Sequence, residues 1–175
     1  GLADLPTYPE PAETELSFEG NALLKARASM AVTGLPSLAD DSGLSVDVLN
    51  GMPGVRSARW AGPGADDAAN NELLLRQIDD VPADRRGARF RCAMALVLSD
   101  GVEHVRTGEM SGRLIRGLRG DNGFGYDPMF VAEGNTVTNA ELSEVDKDAI
   151  SHRGKAVRAI VPILIEELSR LEENI

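Results

Sequence analysis

Carboxylates, cations and glycine-flanked aromatics recur in this chain in groupings that could do chemistry. Residues 38–49, LADDSGLSVDVL, set Asp40 and Asp41 side by side after an apolar run and before Ser42 and Gly43. Adjacent like charges repel, so the pair is either a solvated turn or the two sides of a cation site. Carboxylate oxygens at a strand end suit Mg²⁺, which takes one or two protein carboxylates together with phosphate oxygens. The spacing lacks the alternating acids and distant Glu of a calcium loop, which disfavours Ca²⁺. A second grouping, GDNGFGYDP at 120–128, places Gly123 and Gly125 around Phe124, with Tyr126 and Asp127 next. It is not a dinucleotide fingerprint, but glycines there let backbone approach a flat ring while an aromatic stacks on it. The plainer alternative is a turn that buries two aromatics. A third grouping, DKDAISHRGK at 146–155, gathers Lys147, His152, Arg153 and Lys155 in an otherwise acidic protein. Helix-end cations are more often structural or solvated than ligand-binding. The fourth is Asn21 with Lys25, four residues apart and so on one helix face, which could equally be plain surface. Paired acids, separated cations and a glycine-aromatic turn are together the parts needed to hold Mg²⁺, a polyphosphate and a planar base.

The elements that must position these groups follow from pattern. The opening GLADLPTYPEPAETE, rich in Pro and Glu, reads as extended and exposed. Ser17 has the residue type of an N-cap, and Gly34 that of a C′ residue, bracketing a helix with an apolar stripe of Phe18, Ala22, Ala26 and Met30. LPSLAD and LSVDVL read as two strands joined by an Asp-Asp-Ser-Gly turn. GMPGVRSARWAGPG is a Gly/Pro-rich loop, and DDAANNELLLRQI a helix with Leu73, Leu74 and Ile78 on its apolar side. RFRCAMALVLSDGVEHVRTGEM is a hairpin through Asp100-Gly101, and SGRLIRG a further strand. GFGYDPMFV turns into a short strand. Two helices close the chain, from Ser143 to Ile150 and from Arg153 to Leu171. Ser143 and Asp146 have capping-box spacing, and Ala156, Ile160, Leu164, Leu168 and Leu171 form one face of the last helix, with Pro162 inside it. Helices mixed with strands give an α/β class with a mixed sheet.

At 175 residues the chain fits one domain. Its 42% hydrophobic and 26% charged residues are an ordinary globular balance. A net charge of −10 repels the backbone of long nucleic acids, which argues against a nucleic-acid partner. A small phosphorylated ligand in a locally basic pocket stays open. No apolar run approaches the ~20 residues of a membrane span, and a lone Cys92 excludes an internal disulfide and suits a cytoplasmic setting.

SFEGNALLKARA, LADDSGLSVDVLNGMPGVRSARWAG, GFGYDPMF and ELSEVDKDAISHRGKA closely resemble the inosine-triphosphate pyrophosphatase family. The resemblance runs from about Glu10 to the C-terminus. It implies a long central mixed sheet flanked by helices, two lobes with a nucleotide cleft between them, a Mg²⁺ requirement and a homodimer. The implied reaction takes ITP, dITP and XTP to the monophosphate and pyrophosphate, with Asp41 as general base and metal-linked acid, Asp40 beside it, and Glu13 near a further metal-site acid. Lys25 matches a phosphate-facing lysine and Ser42 a substrate contact. Phe124, Gly125, Tyr126 and Asp127 match the base-binding turn, while Lys147, His152 and Arg153 match the residues that read the base. One feature departs from the pattern. The family opens with a strand and a Thr/Ser-x-Asn-x-x-Lys turn, absent from these residues, so a longer native protein is expected, and residues 1–175 alone are expected to turn over little or no substrate. Two rival readings follow: a related pyrophosphatase acting on other modified nucleotides, and an inactive nucleotide-binding module.

Overall fold

Ser17 starts the first helix as its residue type dictates. Itself extended, it accepts the Gly20 N–H on its hydroxyl at 3.1 Å, and Gly34 at φ 70° closes the helix by donating to the Met30 carbonyl. Helix α1 (Phe18–Thr33) buries Phe18, Ala22 and Ala26, with Met30 packed beside them. The computed structural model describes residues 8–173, with side chains through 170. The first seven residues of the opening segment therefore lie outside the described residues, and the remainder of it forms no regular element.

Strand β1 (Ser37–Val46) corrects the reading of residues 38–49. Asp-Asp-Ser-Gly is not a turn but the middle of one ten-residue strand, paired antiparallel with β2 from Ser37 opposite Val97 to Val46 opposite Ala88. A full-length ladder on an apolar partner outweighs the local turn preference of Asp, Ser and Gly. Helix α2 (Asp67–Gln77) follows a loop of short 3₁₀ turns and is capped by Asp66, whose carboxylate accepts the Ala69 N–H at 2.8 Å. Strands β2 (Gly87–Val97) and β3 (Glu103–Leu114) form the expected hairpin, its turn closed at Gly101 with φ 88°. SGRLIRG adds no separate strand; its first residues complete β3. Strand β4 (Phe130–Ala132) pairs with the end of β3. Helices α3 (Glu144–Ile150) and α4 (His152–Glu173) close the fold.

The α/β class stands, with helices flanking a sheet of order β1-β2-β3-β4. Among the described residues every pairing is antiparallel, where a mixed sheet was expected. No connection between the described strands is the crossover that parallel neighbours require.

Residues of β2 alternate between two cores. Ala93, Ala95 and Val97 pack under α1, while Cys92, Met94 and Leu96, with Leu98 beyond the strand, pack under Ala156 and Ile160 of α4. The two helices thus cover opposite faces, and β2 reads as a nearly continuous apolar run because both its faces are buried. Leu164 joins the α4 contact, whereas Leu168 is exposed and the Leu171 side chain lies outside the described residues. A third cluster joins Leu44, Val46, Phe90 and Met110 of the sheet to Leu74 and Ile78 of α2 and to Tyr126, Met129 and Phe130. Two further details hold the site-bearing elements in place. Gly108 of β3 lets the start of α4 lie directly on the sheet: a Cβ there would overlap the His152 carbonyl oxygen. Arg86, fully buried, donates to the carbonyls of Ile78, Asp79 and Val81 and so satisfies the chain leaving α2.

Candidate active site

Neighbours on a strand point to opposite faces, and that settles the placement of the two aspartates. Asp41 faces α1; Asp40 faces α4. The two carboxylates therefore do not face one another across a shared space.

On the α1 face, Asn21 Nδ2 donates to Asp41 Oδ2 at 3.1 Å, and Lys25 Nζ lies 3.1 Å from Asp41 Oδ1. The two residues four apart on the helix thus aim at one carboxylate rather than at solvent. Lys25 Nζ also lies 2.6 Å from Glu13 Oε1, and Arg59 Nη1 lies 2.5 Å from Glu13 Oε2. Asn21 is tied at its other end, where its Oδ1 accepts the Glu15 N–H at 3.0 Å. Burial pushes the Asp41 carboxyl above the ordinary carboxylate range, although Lys25 and Asn21 pull the other way. Burial also acts to raise Glu13, but hydrogen bonds from Lys25 and Arg59 outweigh it and hold that carboxyl below its usual range. Lys25, partly desolvated, is nevertheless held above its usual value by Glu13 and Asp41.

Glu13 and Asp41 therefore bring two hard oxygen donors to one positive charge, a donor set suited to Mg²⁺. Among the described residues, no group of three or more His, Cys, Asp or Glu side chains surrounds one point. An ion held here would take its other ligands from water or phosphate. Asp40, expected as a ligand beside Asp41, is placed elsewhere. Its Oδ2 accepts from Arg153 at 3.0 and 3.2 Å and from the Ser42 hydroxyl at 3.0 Å.

The α4 face carries a pocket of about 130 Å³ lined by Ser42, Phe124, Gly125, Tyr126, Asp127, Lys147 and His152, with Phe90 and Asp67 completing the wall. Of the sequence-distant residues expected to contact a base, all but Arg153 line this cavity; Arg153 lies outside its wall, held by Asp40. Phe124 is 60% exposed, with Lys147 Nζ 4.7 Å and the Arg153 guanidinium 5.9 Å from its ring centre. It is free to cover a planar ligand. Tyr126 is not: its ring is in the core and its hydroxyl donates to the Ser57 carbonyl at 2.9 Å. Asp127, also buried, braces the turn. It accepts the Phe124 N–H at 2.9 Å and Asn139 Nδ2 at 3.1 Å, and is ion-paired with Lys147. His152 stacks on Phe90 with ring centres 5.0 Å apart, and its Nδ1 is buried without a hydrogen-bond partner among the described residues. Burial, reinforced by Arg153, pushes its imidazole down to about 4. The ring is neutral at neutral pH, so it offers one donor and one acceptor rather than a charge.

The residues that sequence reasoning missed are Arg59, Ser57, Asn139 and the pair Asp67 and Asn71. Asp67 Oδ2 accepts the Gly125 N–H at 2.6 Å, and Asn71 Nδ2 donates to the Gly125 carbonyl at 2.8 Å. Their spacing of four on one helix face was a visible signal for the pair. Nothing local marked the others.

Comparison with known proteins supplies the family. The Ham1 family model matches residues 1–163. A dITP/XTP pyrophosphatase of Nocardia farcinica is 57% identical over 172 residues, covering 98% of this chain and 84% of that protein. A dITP/XTP pyrophosphatase of Cutibacterium acnes is 56% identical over 170 residues, covering 96% and 83%. Among solved structures, a nucleoside-triphosphatase / dITP/XTP pyrophosphatase from Mycobacterium abscessus is 55% identical with a TM-score of 0.80, covering 93% of this chain and 83% of that one. A HAM1 protein from Coxiella burnetii is 41% identical with a TM-score of 0.85, covering 90% and 81%. With the model matched over most of its length and relatives this similar, the chain belongs to the Ham1 family.

Proposed function

We propose that this protein hydrolyses non-canonical purine nucleoside triphosphates (ITP, dITP and XTP) to the monophosphate and pyrophosphate, as a Mg²⁺-dependent enzyme. The observation that carries the reading is the division of β1: one face presents a buried carboxylate with a lysine, the other a pocket sized and lined for a planar base. The activity of the relatives it resembles points the same way.

The chemistry follows from the two faces. Asp41, its affinity for a proton raised by burial, takes the proton of the attacking water. Lys25 turns from its carboxylates toward the phosphates, and Glu13 and Asp41 are the residues that would hold Mg²⁺. When bound, the ion screens phosphate charge and acts as a Lewis acid. On the other face Phe124 covers the base, and His152 and Arg153 present donors to its edge. Hypoxanthine and xanthine carry a carbonyl where adenine carries an amino group, so a donor at that edge matches the former and meets the latter donor to donor. Such polar mismatches discriminate more strongly than shape. Ser42 lies in the pocket wall, and Lys147 holds the turn through Asp127.

The same reading includes a homodimer, as the family resemblance implies, and a cytoplasmic setting, which suits the single, buried Cys92. No helix among the described residues is long and apolar enough to cross a membrane. The test is a nucleotide panel assayed with Mg²⁺ for product identity. Pyrophosphate released from ITP, dITP and XTP, with ATP much poorer, is the expected result. Orthophosphate as the primary product, or no preference over ATP, overturns it.

A further inference from the structure

We infer that Asp67 and Asn71 of α2 are positioning residues for base selection: they hold Gly125 from outside its own turn and so fix where Phe124 lies over the pocket. The inference rests on the pyrophosphatase reading above and deepens it.

The turn accounts for most of its own polar groups. Asp127 accepts the Phe124 N–H, the Asp127 N–H reaches the Phe124 carbonyl at 3.3 Å, and Met129 donates to the Tyr126 carbonyl. Gly125 bonds nothing within the turn. At φ 60° it sits in the left-handed region, which turns both of its backbone polar groups outward. Both go to α2, the N–H to the Asp67 carboxylate at 2.6 Å and the carbonyl to Asn71 Nδ2 at 2.8 Å. A donor and an acceptor one helical turn apart therefore grip one residue from both sides.

Two details separate this arrangement from an incidental contact. Asn71 is 3% exposed, yet its Oδ1 has no partner among the described residues. Leaving a buried acceptor unpaired is costly. The amide is thus turned so that its donors serve Gly125 and the Asp67 carbonyl. The helix itself is held at both ends, by Asp66 at its start and by Arg86 on the carbonyls beyond its end. A rigid element therefore sets the position of a turn whose aromatic is otherwise exposed. The Asp67 carboxylate also stands in the pocket wall, so the hydrogen bond must be distinguished from a direct charge effect.

The substitutions make that distinction. Asp67→Asn keeps an acceptor for the Gly125 N–H and removes the charge; Asp67→Ala removes both; Asn71→Ala removes the donor. Two readouts serve: kcat and KM for ITP by pyrophosphate release with Mg²⁺, and Gly125 amide hydrogen exchange by NMR without nucleotide. Expected for Asp67→Ala and Asn71→Ala is a KM raised by about 3–10-fold, the span of one or two lost hydrogen bonds, at unchanged kcat and with a melting temperature lowered by no more than those bonds account for. Asp67→Ala should also speed Gly125 exchange, and Asp67→Asn should behave as wild type in both readouts. Wild-type KM and exchange in both alanine variants overturn the inference. So does an Asp67→Asn variant as impaired as Asp67→Ala, which would assign the effect to charge. The exchange measurement needs no turnover, so a complete gene product inactive on ITP would sink the functional reading while the amide data still judge the clamp.

Discussion

Asp40 and Asp41 differ by one position on β1, and substituting each by Asn should have unlike consequences. Asp41 is the carboxylate held by Asn21 and Lys25, and removing a positioned base lowers kcat by roughly 10²–10⁴. Asp40 instead holds Arg153, through contacts at 3.0 and 3.2 Å. That pair is partly solvated, the side chains being 29% and 47% exposed, so it is worth about 0.2–1 kcal/mol. Converted to affinity, Asp40→Asn should raise KM for ITP by about 1.4–5-fold and leave kcat unchanged. The assay is steady-state pyrophosphate release at saturating Mg²⁺ with kcat and KM resolved separately, after circular dichroism has shown both variants folded. If Asp40→Asn lost kcat as severely as Asp41→Asn, the two carboxylates would be serving one centre. The argument from opposite strand faces would then be wrong.

Two further outcomes follow from packing. Burial, together with Arg153, depresses the His152 imidazole to about 4, so the folded state binds that proton more weakly than the unfolded chain at ~6.5. The corresponding stability is fully present above pH ~6.5 and is lost as the pH falls toward 4; at pH 5 the loss is about 2 kcal/mol. Urea midpoints at neutral pH and at pH 5 should fall less for His152→Asn than for wild type, and equal falls refute the assignment. Gly108→Ala would drive a Cβ into the His152 carbonyl and to 2.7 Å from the Ala156 nitrogen. Thermal denaturation should show a loss of about 1–3 kcal/mol, accompanied by a raised KM as His152 is displaced. A variant with wild-type stability and KM would show that α4 can shift at no cost.

What was legible in the sequence was what local chemistry controls. Ser17 and Gly34 end a helix for reasons internal to each residue, and Asp100-Gly101 makes a hairpin for reasons internal to the turn. The Asp-Asp-Ser-Gly stretch failed for the opposite reason. Its residues prefer turns, but the ten-residue ladder to β2, between positions 42 to 60 apart in sequence (Val46 with Ala88, Ser37 with Val97), decides the outcome. The candidate site was legible as residue types, since Lys25, Asp41, Phe124, Lys147 and His152 all fall where two faces of β1 can use them. Their division between those faces was not, because it depends on Asp40 and Asp41 lying within a strand rather than a turn. Arg59 illustrates the remaining limit. It meets Glu13 across 46 positions, in a Gly/Pro-rich loop whose path no period announces.

The alternation along β1 bears on how such a protein can change over time. Asn21 and Lys25 reach Asp41 from α1, while His152 stacks on Phe90 and Phe124 lies over the pocket on the other side of the sheet; Asp40 links the two, its carbonyl accepting from Lys25 and its carboxylate from Arg153. Effects at sites without shared neighbours tend to add. If the proposed roles hold, substitutions at Phe124 or His152, which do not touch Asn21, Lys25 or Asp41, should alter base preference largely independently of bond cleavage, whereas changes at Asp40 should couple the two.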